Sequence, residues 1–286
     1  MFSSIIKRLL NRHFFVKVIN LPAHPYLESF ASYIHDDFLV AHLYDNPKYA
    51  DPKKLNRYEF SAFSQNGEDG IISEIFRRIG TTNKYFVEFG TQDGIETNST
   101  YLLYKGWGGT WIDSGENNIE SIYKNFAGII KEKRLSALCS FITAENIETL
   151  FTQTNVPQEF DFLSIDIDGN DYYVWEAIRN YNPRVVCIEY NAVFRPDCDW
   201  VVPYNATSVW DETSNYGASL EALCRLGKSK GYNLVGCCFA GVNAFFVRED
   251  LTKDLFLSPF TPEVHYEPPR HFLASRRGGH TRKIEM

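Results

Sequence analysis

Acidic residues recur at the ends of short apolar runs in this chain. Asp113 closes Thr110-Trp-Ile, Asp166 closes Phe160-Asp-Phe-Leu-Ser-Ile, and Glu189 closes Arg184-Val-Val-Cys-Ile. Asp168, Asp171 and Asn191 follow within a few residues. Runs of this length and make-up read as buried strands, so the acids fall at strand ends. Carboxylate and amide oxygens in such sets hold hard divalent cations such as Mg²⁺ or Mn²⁺. A metal held by Asp168 and Glu189, with Asp166 or Asn191, would bind a substrate hydroxyl and lower its pKa. A metal-free polar site and simple helix capping remain open beside that reading. His265, or one of the carboxylates, is the candidate general base; as a bland alternative His265 is a surface residue in a Pro-rich tail.

These acids need a frame, and the strand–helix alternation supplies one. Strands are expected at 84–89, 110–113, 135–142, 160–166 and 184–189, with helices between them, including one over 117–132 and one capped by Thr143. Five repeats argue for a doubly wound parallel sheet. Tyr232-Asn-Leu-Val-Gly236 and Asn243-Ala-Phe-Phe-Val247 read as two further strands in hairpin-like succession. Residues 192–216, rich in Pro, Asp and aromatics, read as a long flap over the site. The first strand runs into Glu88, Gly90, Asp93-Gly94 and Thr97-Asn98-Ser99, a glycine-bearing loop at the carboxyl edge, where open sheets bind ligands. Its acidity suits hydroxyls and an ammonium or sulfonium better than pyrophosphate. Asp113 then lies at the end of the second strand, the usual place for an acid on nucleoside ribose hydroxyls. Ser64-Gln-Asn-Gly-Glu-Asp-Gly70 precedes a helix, and its two amides and two acids (Gln65, Asn66, Glu68, Asp69) exceed what a cap requires.

The chain has 286 residues, enough for one large α/β domain with extensions. A net charge of −7 disfavours general nucleic-acid binding. Six cysteines, none in a CxxC pair, point to a reduced cytoplasmic protein without a disulfide framework or zinc site. No apolar run is long enough for a membrane span. Residues 1–20 show helical spacing of apolar residues against Lys7, Arg8 and Arg12. They read as a helix docked on the domain or on a second subunit, which leaves a homo-oligomer open; membrane-surface contact is the minor reading.

Ser64–Gly70, Phe86-Val-Glu-Phe-Gly90 with Asp93-Gly94, Gly106-Trp-Gly-Gly109 before Ile112-Asp113, Ile165–Gly169 with Asp171, and Val185–Glu189 together resemble FkbM-type S-adenosylmethionine-dependent O-methyltransferases. The resemblance covers roughly residues 60 to 250. It implies a Rossmann-like seven-stranded methyltransferase fold with an antiparallel last strand over 243–247. The domain would span 61–255, flanked by an N-terminal helical extension over 1–60 and a C-terminal tail over 256–286 that packs on the active site. S-adenosyl-L-methionine would be held by Glu88, Gly90 and Asp93 at its amino-acid end and by Asp113 at the ribose. Phe141, Ile142 and Thr143 would flank adenine, and Asp166 would lie beside the sulfonium. Gln65, Asn66, Glu68, Asp69, Asn98 and Ser99 join this cofactor set. Asp stands at 113, 168 and 171 where Glu is more frequent in the family, which shifts each charge by about one methylene. The implied acceptor is a sugar hydroxyl, on a nucleotide-linked sugar or glycoside of a bacterial capsule or surface polysaccharide. Two other classes compete: a metal-dependent glycosyltransferase using Asp166-Ile167-Asp168 as a D-x-D pair, and a cofactor-binding protein without catalysis.

Overall fold

The computed structural model describes residues 41–270 apart from 43, 44, 211 and 212. The helix expected over 1–20 lies outside the described residues. Seven strands form one sheet: β1 Tyr85–Phe89, β2 Gly108–Asp113, β3 Leu135–Cys139, β4 Glu159–Ile165, β5 Asn182–Glu189, β6 Tyr232–Cys237 and β7 Asn243–Arg248. Their spatial order is β3-β2-β1-β4-β5-β7-β6. All pairings from β3 to β5 are parallel, while β7 runs antiparallel to both β5 and β6. This is the doubly wound sheet with a reversed last strand that the sequence implied. The order reverses between β1 and β4, the switch point at which open α/β sheets bind ligands.

Strand alternation sends successive side chains to two helical layers. Val87, Phe89, Val186, Ile188, Ala244 and Phe246 join a core beneath α5 Ile147–Gln153, α6 Asp171–Ala177 and α7 Leu220–Ser229. Phe86, Phe162, Val185, Cys187, Phe245 and Val247 face α1 Glu68–Ile79, α2 Thr100–Tyr104, α3 Glu116–Asn125 and α4 Ala127–Lys131. The single helix expected over 117–132 is two, because Phe126 leaves helical dihedrals and sets its ring edge-on against Trp111, 4.8 Å between centroids. Thr143 is not the cap of α5. Asn146 holds that position, and its Oδ1 accepts from the Thr143 N–H at 2.9 Å. β3 ends at Cys139, so 140–142 leave the sheet.

Both flanks pack on this body. Leu55 and Phe256 are buried in the second core. Glu267, fully buried, accepts from Lys48 Nζ, the Tyr49 hydroxyl and Arg270 at 2.8, 2.8 and 3.0 Å. At the amino ends of the strands, buried Asp161 accepts from the Thr82 and Lys84 N–H groups and from Arg184 at 2.7 Å. Removing one partner strands the other charge. Asp161→Ala should therefore lower stability by ~3–5 kcal/mol, read as a lower urea midpoint; an unchanged midpoint would refute this role. Among the described residues no helix is long and apolar enough to cross a membrane.

Candidate functional site

A cavity of about 640 Å³ opens at the carboxyl edge of the sheet, within the range of small-ligand sites. The ends of β1, β2, β4 and β5 supply its floor through Gly90, Asp113, Asp166 and Glu189. Gly90 is required there. Its φ is +68°, and a Cβ would sit 1.8 Å from the Asp166 carbonyl oxygen, so the β1 loop crosses directly over the end of β4. The close approach is to the protein's own backbone.

Asp113 stands at one end. Its Oδ2 accepts from the Gln92 N–H at 2.7 Å, and its Oδ1 from the Gly115 N–H at 2.8 Å and Asn118 Nδ2 at 2.9 Å. Three donors fix the carboxylate where it lines the cavity. Gln92 reaches this position through a left-handed backbone, φ +48°. Ser140, Phe141 and Ile142 form the adjoining wall, and Phe141 keeps its ring 44% exposed. This end offers a fixed diol acceptor beside a flat apolar face.

Gln65 and Asn66 enter from the loop before α1. The two acids beside them do not line the cavity. Glu68 accepts from the Asn66 N–H at 2.7 Å and from Asn243 Nδ2 at 2.9 Å. Asp69 Oδ2 accepts from the N–H groups of Ala62, Phe63 and Ser64. Both fold the loop that presents the amides. Glu88 shares a strand face with Phe86, which turns it beneath α2 and away from the cavity. It is 4% exposed and accepts from the N–H groups of Asn98 and Ser99 at 2.8 and 2.9 Å, satisfying donors at the start of α2. Burial pushes its carboxyl up to about 7. Asn98 donates to Ser164 Oγ at 3.0 Å, and the Ser99 hydroxyl bonds Glu88. Asp93 accepts from the Ile95 N–H at 3.0 Å, and Thr143 bonds Asn146; neither lines the cavity.

At the opposite end Asp166, Asp168 and Glu189 converge, with one oxygen of each within 4.8 Å of the others. Asp168 reaches the group through a left-handed backbone, φ +57°. Asp171 makes that turn: its carboxylate accepts from the Ile167 and Gly169 N–H groups at 2.9 Å each, so here the capping reading holds. Burial first, and then the neighbouring acids, push Asp166 and Glu189 well above the carboxylate range; burial raises Asp168. Glu189 Oε2 is buried without a hydrogen-bond partner. The trio is an unneutralised set of hard oxygen donors.

Asn191 does not join them. The chain leaves β5 after Glu189, and the Asn191 amide donates to the carbonyls of Ser214 and Tyr216 at 2.9 and 3.0 Å, pinning the end of the flap. His265 also lies elsewhere. It is 3% exposed on α8 Pro262–His265, and its Nε2 bonds the Leu257 carbonyl at 3.1 Å. Burial, and then Lys54, hold its pKa down at about 4 against an ordinary 6.5. The unfolded chain binds the extra proton across that interval, so His265's contribution is complete above pH 6.5 and lost as pH falls through about 4. Acid destabilisation over this window should flatten in His265→Asn, measured by urea midpoints; an unchanged pH slope would exclude it.

Three cavity residues, Ser208, Val209 and Trp210, come from the flap, and Asn170 Nδ2 ties the flap down by donating to the Asn205 carbonyl at 2.8 Å. Gln92 and Asn118 escaped the sequence reading, which took Trp210 only as one of the aromatics of the flap. Asn118, five residues beyond Asp113 and one turn into α3, carried a usable spacing signal. Trp210, one of five tryptophans, carried none.

No protein-family model and no curated protein matches the chain. Among solved structures, it is similar to a protein from Staphylococcus aureus designated a caffeoyl-CoA O-methyltransferase: 14% identity, TM-score 0.45, covering 77% of this chain and 99% of that one. It is similar to an O-methyltransferase from Bacillus cereus in complex with SAH: 14% identity, TM-score 0.41, 81% and 93% covered. It is also similar to the N-terminal domain of EvdMO1 with SAH bound: 12% identity, TM-score 0.41, 65% and 80% covered. At this level of similarity the functional reading rests on the cavity's own residues.

Proposed function

We propose that this chain is an S-adenosyl-L-methionine-dependent O-methyltransferase acting on a sugar hydroxyl. One observation carries the reading: a fixed acid at the end of β2 and three converging acids at the ends of β4 and β5 face one cavity. The first suits a nucleoside and the second a hydroxyl that must lose its proton. S-adenosyl-L-methionine would supply a methyl carbon already activated on a sulfonium. Asp113 would accept the ribose hydroxyls, Phe141 and Ile142 would flank the adenine, and the backbone at Gly90 and Gln92 would border the amino-acid end. Glu88, Asn98, Ser99, Glu68 and Asp69 serve this half by holding its loops.

The acid trio fits a hard divalent ion, since its oxygens converge and one on Glu189 has no partner. Such an ion would lower the pKa of the acceptor hydroxyl. Asp166 borders both halves, at the β1–β4 crossing. It would take the hydroxyl proton on a carboxylate oxygen while the trio orients the nucleophile. The acceptor class follows the resemblance: a sugar of a surface polysaccharide, built in the cytoplasm as a nucleotide-linked sugar or a glycoside.

Calorimetry with S-adenosylhomocysteine tests the reading. Micromolar or tighter binding is expected, and its absence in folded protein would sink the assignment. A mass gain of one methyl on a sugar acceptor would follow for an active enzyme; cofactor binding without transfer to any sugar would leave only the non-catalytic alternative.

A further inference from the structure

The cavity walls carry an unbalanced charge. Among the described residues they include four carboxylates, Asp113, Asp166, Asp168 and Glu189, and no Lys, Arg or His. A diphosphate is held by Arg, Lys, clustered N–H donors or a divalent ion on carboxylates, and of the charged partners the described walls offer only the last, at the trio. Arg195, which lies in the flap, is not among the lining residues. Arg270 is committed to Glu267 at 3.0 Å and to the ring of Phe239, and Arg184 to Asp161. A divalent ion within the trio would still leave three carboxylates net negative.

The flap side of the wall carries an aromatic ring. Trp210 is 47% exposed and lines the cavity. Its indole Nε1 donates to the Thr213 carbonyl at 2.8 Å, and Tyr216 lies in a T-shaped contact with it at 6.3 Å. With its donor spent, what the half-exposed ring offers a ligand is aromatic carbon surface. An indole face is apolar and electron-rich, and it attracts the weakly positive C–H face of a hydroxylated ring. Val209 extends the apolar strip, while the acids opposite accept hydroxyl hydrogen bonds.

We infer that the acceptor is a phosphate-free hydroxylated ring, a glycoside and not a nucleoside diphosphate sugar, and that Trp210 is its platform and selects it. This rests on the methyltransferase reading and narrows its acceptor.

The test uses full-length protein carrying fluorotryptophan, saturated with S-adenosylhomocysteine and Mg²⁺. The Trp210 fluorine resonance is assigned by its loss in Trp210→Phe, a change at a half-exposed position. Two probes are titrated: a set of methyl glycosides (gluco, galacto, manno and rhamno) and uridine diphosphate. The expected result is a saturable shift of the Trp210 signal with at least one glycoside and none with uridine diphosphate. A shift with uridine diphosphate, or silence toward every glycoside, overturns the inference. Failure to bind S-adenosylhomocysteine at the outset would instead remove the methyltransferase reading, so the two failures are separable.

Discussion

Asp113→Ala is expected to weaken S-adenosylhomocysteine binding by about 100-fold or more while leaving the protein folded. Hydrogen bonds to a charged acceptor contribute ~1.5–3 kcal/mol each. Losing the carboxylate beneath a ribose diol therefore removes roughly 3 kcal/mol, two decades in Kd. The conservative change offers no refuge. Every oxygen of Asp113 already accepts from a backbone or amide donor, at Gln92, Gly115 and Asn118. In Asp113→Asn an NH₂ group would face one of those donors whichever way the amide turned. Asp113→Asn should thus bind no better than Asp113→Ala. Asn118→Ala, which removes only one of the three donors, should lose less than tenfold. Calorimetry on the three variants, with urea midpoints as the folding control, checks the order. Equal affinity in wild type and Asp113→Ala would remove the ribose from this end of the cavity.

The frame of this site was legible because it depends on periodicity. Apolar runs closed by Asp113, Asp166 and Glu189 became β2, β4 and β5, and their acids fell on one edge because parallel strands share a carboxyl end. What failed was the direction in which individual side chains point. Glu88 and Glu189 both follow apolar runs, yet Glu88 turns under α2 and Glu189 reaches the cavity. The face occupied by Phe86 held that answer for Glu88. Asn191 keeps the parity of Glu189, but parity lapses once the strand ends, and its amide serves the flap. His265 illustrates a different limit. A histidine among prolines reads as exposed, whereas tertiary packing of the C-terminal segment buries it against Leu257. The flap over 192–216 was recognisable from its composition. Which of its aromatics faces the ligand depends on a non-local contact, between Asn170 and Asn205.

Divalent ions should stabilise this protein, and the gain should depend on pH and on the acid trio. Asp166 and Glu189 hold their protons well above the carboxylate range because they are buried beside other acids. In the ion-free protein a raised folded pKa contributes stability that is present below the unfolded pKa and lost as pH rises through the folded one. An ion needs deprotonated ligands, so its affinity rises over the same range. At 100 times its dissociation constant, Mg²⁺ or Mn²⁺ adds about 2.7 kcal/mol, a rise in Tm of roughly 5–10 °C. The rise should be larger at about pH 8 than at about pH 6. Glu189→Gln replaces a half-buried carboxyl, one oxygen of which has no hydrogen-bond partner, with an amide that cannot ionise. It should raise the ion-free Tm at the pH where Glu189 would otherwise ionise beside Asp166 and Asp168, and it should abolish the ion-dependent gain. Chelation should cut methyl transfer by about 100-fold or more, because the ion would provide several kcal/mol of charge stabilisation in the transition state. Transfer that survives full chelation, in Asp168→Ala and Glu189→Ala as in the parent protein, would show that the three carboxylates work without a metal. The proton would then go to Asp166, which burial makes more basic than an ordinary carboxylate, and activity would climb with its ionisation.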